Sequence, residues 1–386
     1  MRLRNLLVTT VVSLLAPAGA LPQQVVGTES VAASLVARMA LQQGERVLLV
    51  GAAGRADALV AELRKRMAAA GAEDLGALAV EGPAPESWQT AFTRNAPSDR
   101  TGLARYLSSV DLAIMMPGAT VTHAAYAAMQ DVLRSGRGRT IHFHWIGAYE
   151  LDGSVREMNS ATAALYERVL RDTDYRALAA VQSAFERAAR SGEVRVTTPD
   201  GTDITFRIAD RPVTRQDGDA SAARARTARN LIDREVELPA GAIRVAPIEE
   251  SVNGTIAFPA SMWGGGRAEG LVMRFTGGKV TSWTARSGSE GVARELASAG
   301  EAGRSFREFA LGFNPLLAIP EAGDRWIPYY GYGAGVIRLS LGDNTELGGN
   351  VGGGWVRWNF FTEATVSVGG VTWVTRGVLT PPAPAR

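Results

Sequence analysis

The sequence predicts a two-part α/β plus α+β protein: a Rossmann-like parallel α/β domain over residues 21–150, a helical connection over 151–193 and a β-rich domain over 194–378. Three observations carry this expectation. The chain has 386 residues, 46% of them hydrophobic, enough to bury two cores. Strand and helix signals alternate from Gly44 to Gly118, as a parallel sheet with crossover helices requires. From Val194 onward the apolar period shortens to two, with glycine-rich turns between the runs, the signature of antiparallel strands.

Arg46 to Val50 is short, apolar and β-branched, and reads as a buried strand. Leu59, Val60, Leu63 and Met67 follow at helical spacing. A second strand is expected near Leu75 to Val80. A third covers Leu112 to Met116 and is stopped by Pro117-Gly118. A helix over about 121–133 and a strand over 141–146 complete the layer. The stretch 154–191 is rich in Ala, Glu and Arg and reads as helical. Val194, Val196 and Thr198 alternate, Pro199-Asp200-Gly201 turns the chain, and Ile204, Phe206 and Ile208 return, which makes a hairpin. Residues 210–229 hold five arginines and few apolar side chains and read as an exposed loop. A helix is expected over about 288–302, and the proline-rich end, 379–386, reads as a disordered tail.

The N-terminus has the pattern of an export signal, residues 1–20. Arg2 and Arg4 are followed by an apolar run to Leu15 and by Ala18-Gly19-Ala20 as a small-residue cleavage site. The run is shorter than the roughly 20 residues needed to span a bilayer, and Pro17 interrupts it. A secreted or periplasmic location is therefore expected, with no membrane span in the mature chain. The formal charge is +2, and removing Arg2 and Arg4 leaves the basic and acidic counts equal at 39. This balance speaks against sequence-independent nucleic-acid binding, which needs a basic excess.

There is no cysteine, so disulfides, thiolate nucleophiles and cysteine metal sites are excluded. The three histidines are His123, His142 and His144. His142 and His144 would share one face of a strand, where two imidazoles can meet a metal, but no carboxylate partner stands close in sequence, and packed histidines are the simpler reading. Gly51-Ala-Ala-Gly54 lacks the full dinucleotide spacing and a Walker lysine, and reads as a tight strand-to-helix turn. No Gly-x-Ser-x-Gly elbow accompanies the histidines as a serine hydrolase would require.

The second half contains four segments in a recognisable order. They are Asp200 to Phe206; Leu238-Pro-Ala-Gly-Ala242 running on to Pro247, with Ser251-Val-Asn-Gly254; Glu308-Phe-Ala-Leu-Gly-Phe-Asn-Pro315; and Arg338-Leu-Ser-Leu-Gly-Asp-Asn344 followed by Gly348-Gly349. In this order they resemble the thermophilic metallo-aminopeptidase family, the aminopeptidase T type. The resemblance implies a β-rich C-terminal domain of that type and a fold that is often dimeric, so a homodimer is an expectation. It also implies two divalent metals activating water against an N-terminal peptide bond.

Carried over residue by residue, the family's ligand set is mostly absent. Ala242 stands where a ligand glutamate is implied, Arg338 and Arg357 where histidines are implied, Thr345 near an implied tyrosine, and Asn359 at an implied aspartate. Glu308 alone keeps its residue type. Guanidinium has no lone pair to donate and stays protonated. At roughly 5 Å and an effective dielectric of about 20, each arginine would repel a divalent ion by about 6–7 kcal/mol before relaxation. Relatives that hold a single ferrous ion and open dihydroxypyridine rings draw a His, His, Asp set from the same segments, which is equally lost.

The expectation is therefore a pseudo-peptidase without a cofactor, in which Glu308 faces Arg338 and Arg357 beside Asn359. Two readings of that group stay open: salt bridges that replace metal charge, or an arginine fork for a peptide or small carboxylate. Tyr330, Tyr332, Trp355, Trp358 and Phe360 could line such a pocket, although strand alternation puts Arg357 and Asn359 on one face and Trp358 and Phe360 on the other. The alternative is an aminopeptidase with a rebuilt site, in which Glu249, Glu250, Glu308 and Asp343 hold zinc, cobalt, manganese or magnesium.

Overall fold

A computed structural model describes residues 27–143 and 146–382. The expected export signal and His144 lie outside the described residues. The first sheet is built from β1 (Arg46–Gly51), β2 (Glu73–Ala79), β3 (Leu112–Met115) and β4 (Arg139–His142). Helices α1 (Thr28–Met39), α2 (Asp57–Ala69), α3 (Ala91–Arg94), α4 (Arg100–Leu107) and α5 (Ala124–Arg134) accompany it. Val47 and Leu49 pack into one core and Leu48 and Val50 into another. Alternation along a strand covered on both faces produces that division.

The connection is two helices, α6 (Ser160–Asp172) and α7 (Tyr175–Ser191). The chain breaks between them because the Asp174 side chain caps the second by accepting from the Ala177 N–H. β5 (Val194–Thr197) and β6 (Asp203–Phe206) form the expected hairpin.

The segment 210–229 departs from the exposed loop read in the sequence. It contains β7 (Val213–Arg215) and α8 (Ala222–Arg226), with Gln216 and Asp217 buried. Two of its arginines are paired inward: Arg224 lies 3.6 Å from Asp217 and 3.8 Å from Asp233, and Arg215 lies 3.7 Å from Asp217, whereas Arg226 and Arg229 are exposed. Part of the polar composition here marks internal ion pairing rather than solvent exposure.

Next comes β8 (Glu235–Glu237), which lies parallel to β4 as the fifth strand of the first sheet, in the order β2-β1-β3-β4-β8. The second half thus completes the parallel sheet of the first.

The remaining strands are β9 (Ala242–Val245), β10 (Asn253–Ala257), β11 (Ser261–Trp263), β12 (Gly266–Ala268), β13 (Val272–Thr276) and β14 (Lys279–Thr284). After helices α9 (Ser289–Ser298) and α10 (Gly300–Gly303) follow β15 (Phe306–Gly312), β16 (Ile337–Gly342), β17 (Val356–Arg357), β18 (Phe360–Phe361), β19 (Thr365–Val368), β20 (Val371–Thr375) and β21 (Val378–Leu379). One sheet of eight strands runs β14-β13-β10-β6-β5-β19-β20-β21, and one of six runs β17-β16-β15-β9-β7, with β18 also on β16. Aromatic contacts such as Phe206 with Phe306 and Phe309 join these two sheets through one core. Among the described residues no helix is long and apolar enough to cross a membrane.

Candidate functional site

Strand register decides which of the predicted site residues meet. Glu308 on β15 pairs with Ser340 on β16, while Ala310 is flanked by Arg338 on β16 and Arg244 on β9. Residues two apart on a strand share a face. Glu308, Arg338 and Arg244 therefore converge, and Ala242, two residues before Arg244, lies on that face as well. A bulge between Phe306 and Glu308 inserts Arg307 beside them.

The resulting cluster is tight. Glu308 is fully buried, and its Oε1 accepts from Arg244 Nε at 2.6 Å and from Arg338 Nη2 at 2.7 Å. Arg307 Nε lies 3.5 Å from Oε2. The half-exposed Glu346 is paired with Arg307 and lies 3.7 Å from Arg244. Burial alone would push the Glu308 carboxyl up, but Arg244, Arg338 and Arg307 hold it far below the usual carboxylate range. Glu308 Oε2 and Ser340 Oγ, both buried, have no hydrogen-bond partner.

Arg357 is not part of this cluster, which corrects the expected convergence. It pairs with Leu341, the neighbour of Ser340, and so starts from the opposite face of the sheet. Arg357 donates to Glu295 at 2.8 Å, to the Met262 carbonyl at 2.8 Å and to Asn359 Oδ1 at 3.0 Å, and stacks 3.5 Å over the Trp263 ring. Asn359 in turn donates to the Leu339 carbonyl.

The face alternation read from the sequence holds: β17 and β18 pair with β16 in one continuous register, and the Asn359 carbonyl accepts from the Leu339 N–H at 3.0 Å, so Arg357 and Asn359 share one face and Trp358 and Phe360 the other. Arg357, Trp358, Asn359 and Phe360 all line one cavity of about 140 Å³. Trp358 links the cavity to the buried cluster, since the Arg338 guanidinium lies 4.5 Å from its ring centre.

Arg338 also donates to the Tyr330 carbonyl at 3.1 Å. Tyr329 and Tyr330 both adopt left-handed backbone conformations, with φ of 36° and 56°, which bulky residues rarely accept. The turn is held by the Tyr330 N–H donating to the Gly147 carbonyl at 2.7 Å and by the Tyr329 hydroxyl donating to the Leu238 carbonyl at 2.7 Å. A Cβ at Gly147 would lie 2.6 Å from the Tyr330 ring. Trp355 packs against the main core from a partly buried position, and Tyr332 is buried within it.

Sequence reasoning missed a second polar group. His142 at the end of β4 faces β8, where Glu237 and Glu235 supply the carboxylates that are remote in sequence. His142 Nδ1 lies 3.4 Å from Glu237 and 3.2 Å from the Tyr126 hydroxyl; Nε2 lies 3.9 Å from Glu235 and 3.1 Å from Thr140 Oγ1. Burial would lower the imidazole pKa, but Glu235 and Glu237 raise it. Burial pushes Glu235 up to about 7 against the pull of His142 and Gln130. The carboxylates sit on opposite ring nitrogens, so this group is a charge seam and does not present one coordination point. The signal that could have found it is the Glu-Val-Glu alternation in β8, which reads as a strand with two carboxylates on one face.

The carboxylates named for a rebuilt site are dispersed. Glu249 is paired with Arg211 and accepts from Asn344 and the Asn350 N–H. Asp343 accepts from Thr345 and the Gly354 N–H. Glu250 is exposed. His123 accepts from the Thr120 N–H, which marks it as a turn residue.

The arginine cluster does not fit a divalent metal. Glu308 is the only family ligand position with a donor of the implied type, and an ion binding Oε1 would have to displace both Arg244 and Arg338. At roughly 5 Å and a dielectric of about 20 the repulsion from each is about 6–7 kcal/mol.

A parallel α/β sheet completed by the second half, followed by antiparallel sheets that carry this cluster, defines a mixed α/β protein of the aminopeptidase T-like fold. Residues 176–319 match the model of the thermophilic metalloprotease family M29, so that segment carries the family's sequence pattern. Among solved structures the chain is similar to 2,5-dihydroxypyridine dioxygenase from Pseudomonas putida KT2440, at 15% identity over 93% of this chain and 98% of that one, with a TM-score of 0.61. It is also similar to wild-type AmpT from Thermus thermophilus, at 18% identity over 92% and 99% of the two chains, with a TM-score of 0.59. A comparison with curated proteins finds no match.

Proposed function

We propose that this chain is an exported, non-hydrolytic protein of the aminopeptidase-like fold that binds a peptide or a small carboxylate. One observation carries the reading: Glu308, the retained family position, is held by Arg244 and Arg338 at 2.6 and 2.7 Å, with Arg307 beside its second oxygen. Buried guanidinium groups there supply the positive charge that a metal pair would otherwise provide, without the Lewis acidity that activates water. The M29 match supports a peptide-like ligand. Export rests on the N-terminal pattern alone, and N-terminal sequencing of protein recovered from the periplasm or medium would test it.

The test of the central reading is metal analysis of the purified mature protein together with hydrolysis of leucyl and arginyl anilides after addition of zinc, cobalt or manganese. The expected result is no stoichiometric metal and no chelator-sensitive turnover. Stoichiometric metal with turnover abolished by chelator would overturn the reading.

A further inference from the structure

Tyr329, Tyr330 and Gly331 follow one another in left-handed backbone conformations, with φ of 36°, 56° and 74°. Residues with a Cβ enter that region singly, so two successive tyrosines carry a conformational cost that their contacts must offset. Tyr329 is firmly anchored. It is fully buried, its N–H donates to the Tyr166 hydroxyl at 2.8 Å, and its own hydroxyl reaches the Leu238 carbonyl at 2.7 Å and Glu237 at 3.2 Å. Tyr330 is only partly buried and is held through its backbone, its N–H donating to the Gly147 carbonyl and its carbonyl accepting from Arg338.

The second of those bonds occupies a donor that a ligand would need. Arg338 is 2% exposed, with Nη2 on Glu308 at 2.7 Å, Nη1 on the Tyr330 carbonyl at 3.1 Å and Nε buried without a partner. The Tyr330 ring meets the Trp358 ring edge-on at 5.5 Å, and the Trp358 ring in turn lies over the Arg338 guanidinium. The Tyr330 ring also packs on Gly147, in the space that a Cβ there would fill. Tyr330 thus stands between the loop after β4 and Arg338. A neutral carbonyl is a weaker partner for guanidinium than an oxyanion. Releasing the turn gives up two hydrogen bonds and relieves its backbone cost, terms of similar size, so the turn can open without global unfolding.

We propose that the Tyr329–Tyr330 turn is an autoinhibitory gate. The Tyr330 carbonyl acts as an internal ligand of Arg338, the Tyr330 ring closes that guanidinium off from solvent, and the turn swings out about the anchored Tyr329 to admit an oxyanion. The gate rests on the binding reading above for the identity of its ligand, a carboxylate, whereas its opening is independent of any ligand.

Labelling of the full mature protein with the arginine-selective reagent methylglyoxal, mapped residue by residue by mass spectrometry, tests the gate. Arg139 at the start of β4 is the reference, since it is equally buried and is paired with Glu45 at 2.9 Å. Arg338 is expected to label at least tenfold faster than Arg139 in the wild type, because only Arg338 is reached by a local opening. Equal rates, as global unfolding alone would produce, overturn the gate. Tyr330→Gly keeps the left-handed backbone and removes the ring, and should raise the Arg338 rate at least a further tenfold with Arg139 within twofold of wild type; an unchanged Arg338 rate overturns the gate. Should Arg139 accelerate in parallel, marking a misfolded variant, wild-type hydrogen exchange decides. The Tyr330 N–H must then be at least tenfold less protected than the Leu339 N–H of β16, and equal protection overturns the gate. Failure of the gate leaves the binding reading standing, and metal-dependent turnover in the anilide assay would reject that reading and leave the gate.

Discussion

Glu308 and Glu235 are the same residue type, both buried, and their environments drive them in opposite directions. Glu308 is surrounded by Arg244, Arg307 and Arg338, and is ionised far below the usual range. Glu235 shares a single imidazole with Glu237 and feels Glu346 as well, and burial carries it up to about 7. The difference teaches that burial alone does not set the state of a carboxylate in this protein; the count of cations supplied by neighbouring strands does.

The largest effect should come from removing the carboxylate at the centre of the arginines. Glu308→Gln leaves three buried guanidinium groups without their shared anion and should cost about 3–5 kcal/mol in urea denaturation. A cost below about 1 kcal/mol would show that the cluster relaxes freely.

At Glu235 the effect should reverse sign. Its folded pKa lies above its unfolded value of 4.5, so the folded state binds more protons between pH 4.5 and 7, and stability falls as pH rises through that window. Glu235→Gln should therefore stabilise the protein above pH 7, on the order of 3 kcal/mol, with little change near pH 4.5. Glu308 has the opposite linkage: its contribution is present above pH 4.5 and is lost as pH falls towards its depressed folded value. Thermal unfolding of the wild type and both variants from pH 2 to 9 checks the two signs together.

A smaller effect is expected at the strained turn. Gly147→Ala puts a Cβ against the Tyr330 ring at a residue with φ of 90°, and should destabilise by about 1–3 kcal/mol. The smallest is expected at the exposed Arg195–Asp203 pair, where both side chains are about half exposed. Arg195→Ala should change stability by less than about 1 kcal/mol.

Much of the fold was legible because periodicity is local. β1, the β5–β6 hairpin and the helix beginning at Ser289 follow from the spacing of apolar residues within a few turns or pleats. Non-local placement was not legible. β8 is three residues long and carries two glutamates, which gives no apolar signal of a parallel strand. Its membership follows only from pairing with β4.

The site divides in the same way. The Glu308–Arg338 contact follows from matching segments to a family pattern, and the structure brings that pair together. Arg244 and Arg307 fill the remaining places around Glu308, and neither was singled out because register across β9, β15 and β16 is not written in any one segment. Arg357 was misplaced for the same reason, since a shift of one residue in a ladder exchanges faces.

The placement of β8 has a consequence for synthesis. Until Glu235 to Glu237 have been translated, the outer edge of β4 lacks its neighbour. About ninety residues separate the two strands, roughly 5–20 s of elongation at about 5–20 residues per second. A chain whose first sheet forms before β8 has docked carries an open strand edge of the kind that recruits other chains. A fragment ending within the helical connection would keep that edge permanently, so it should aggregate where the full chain does not.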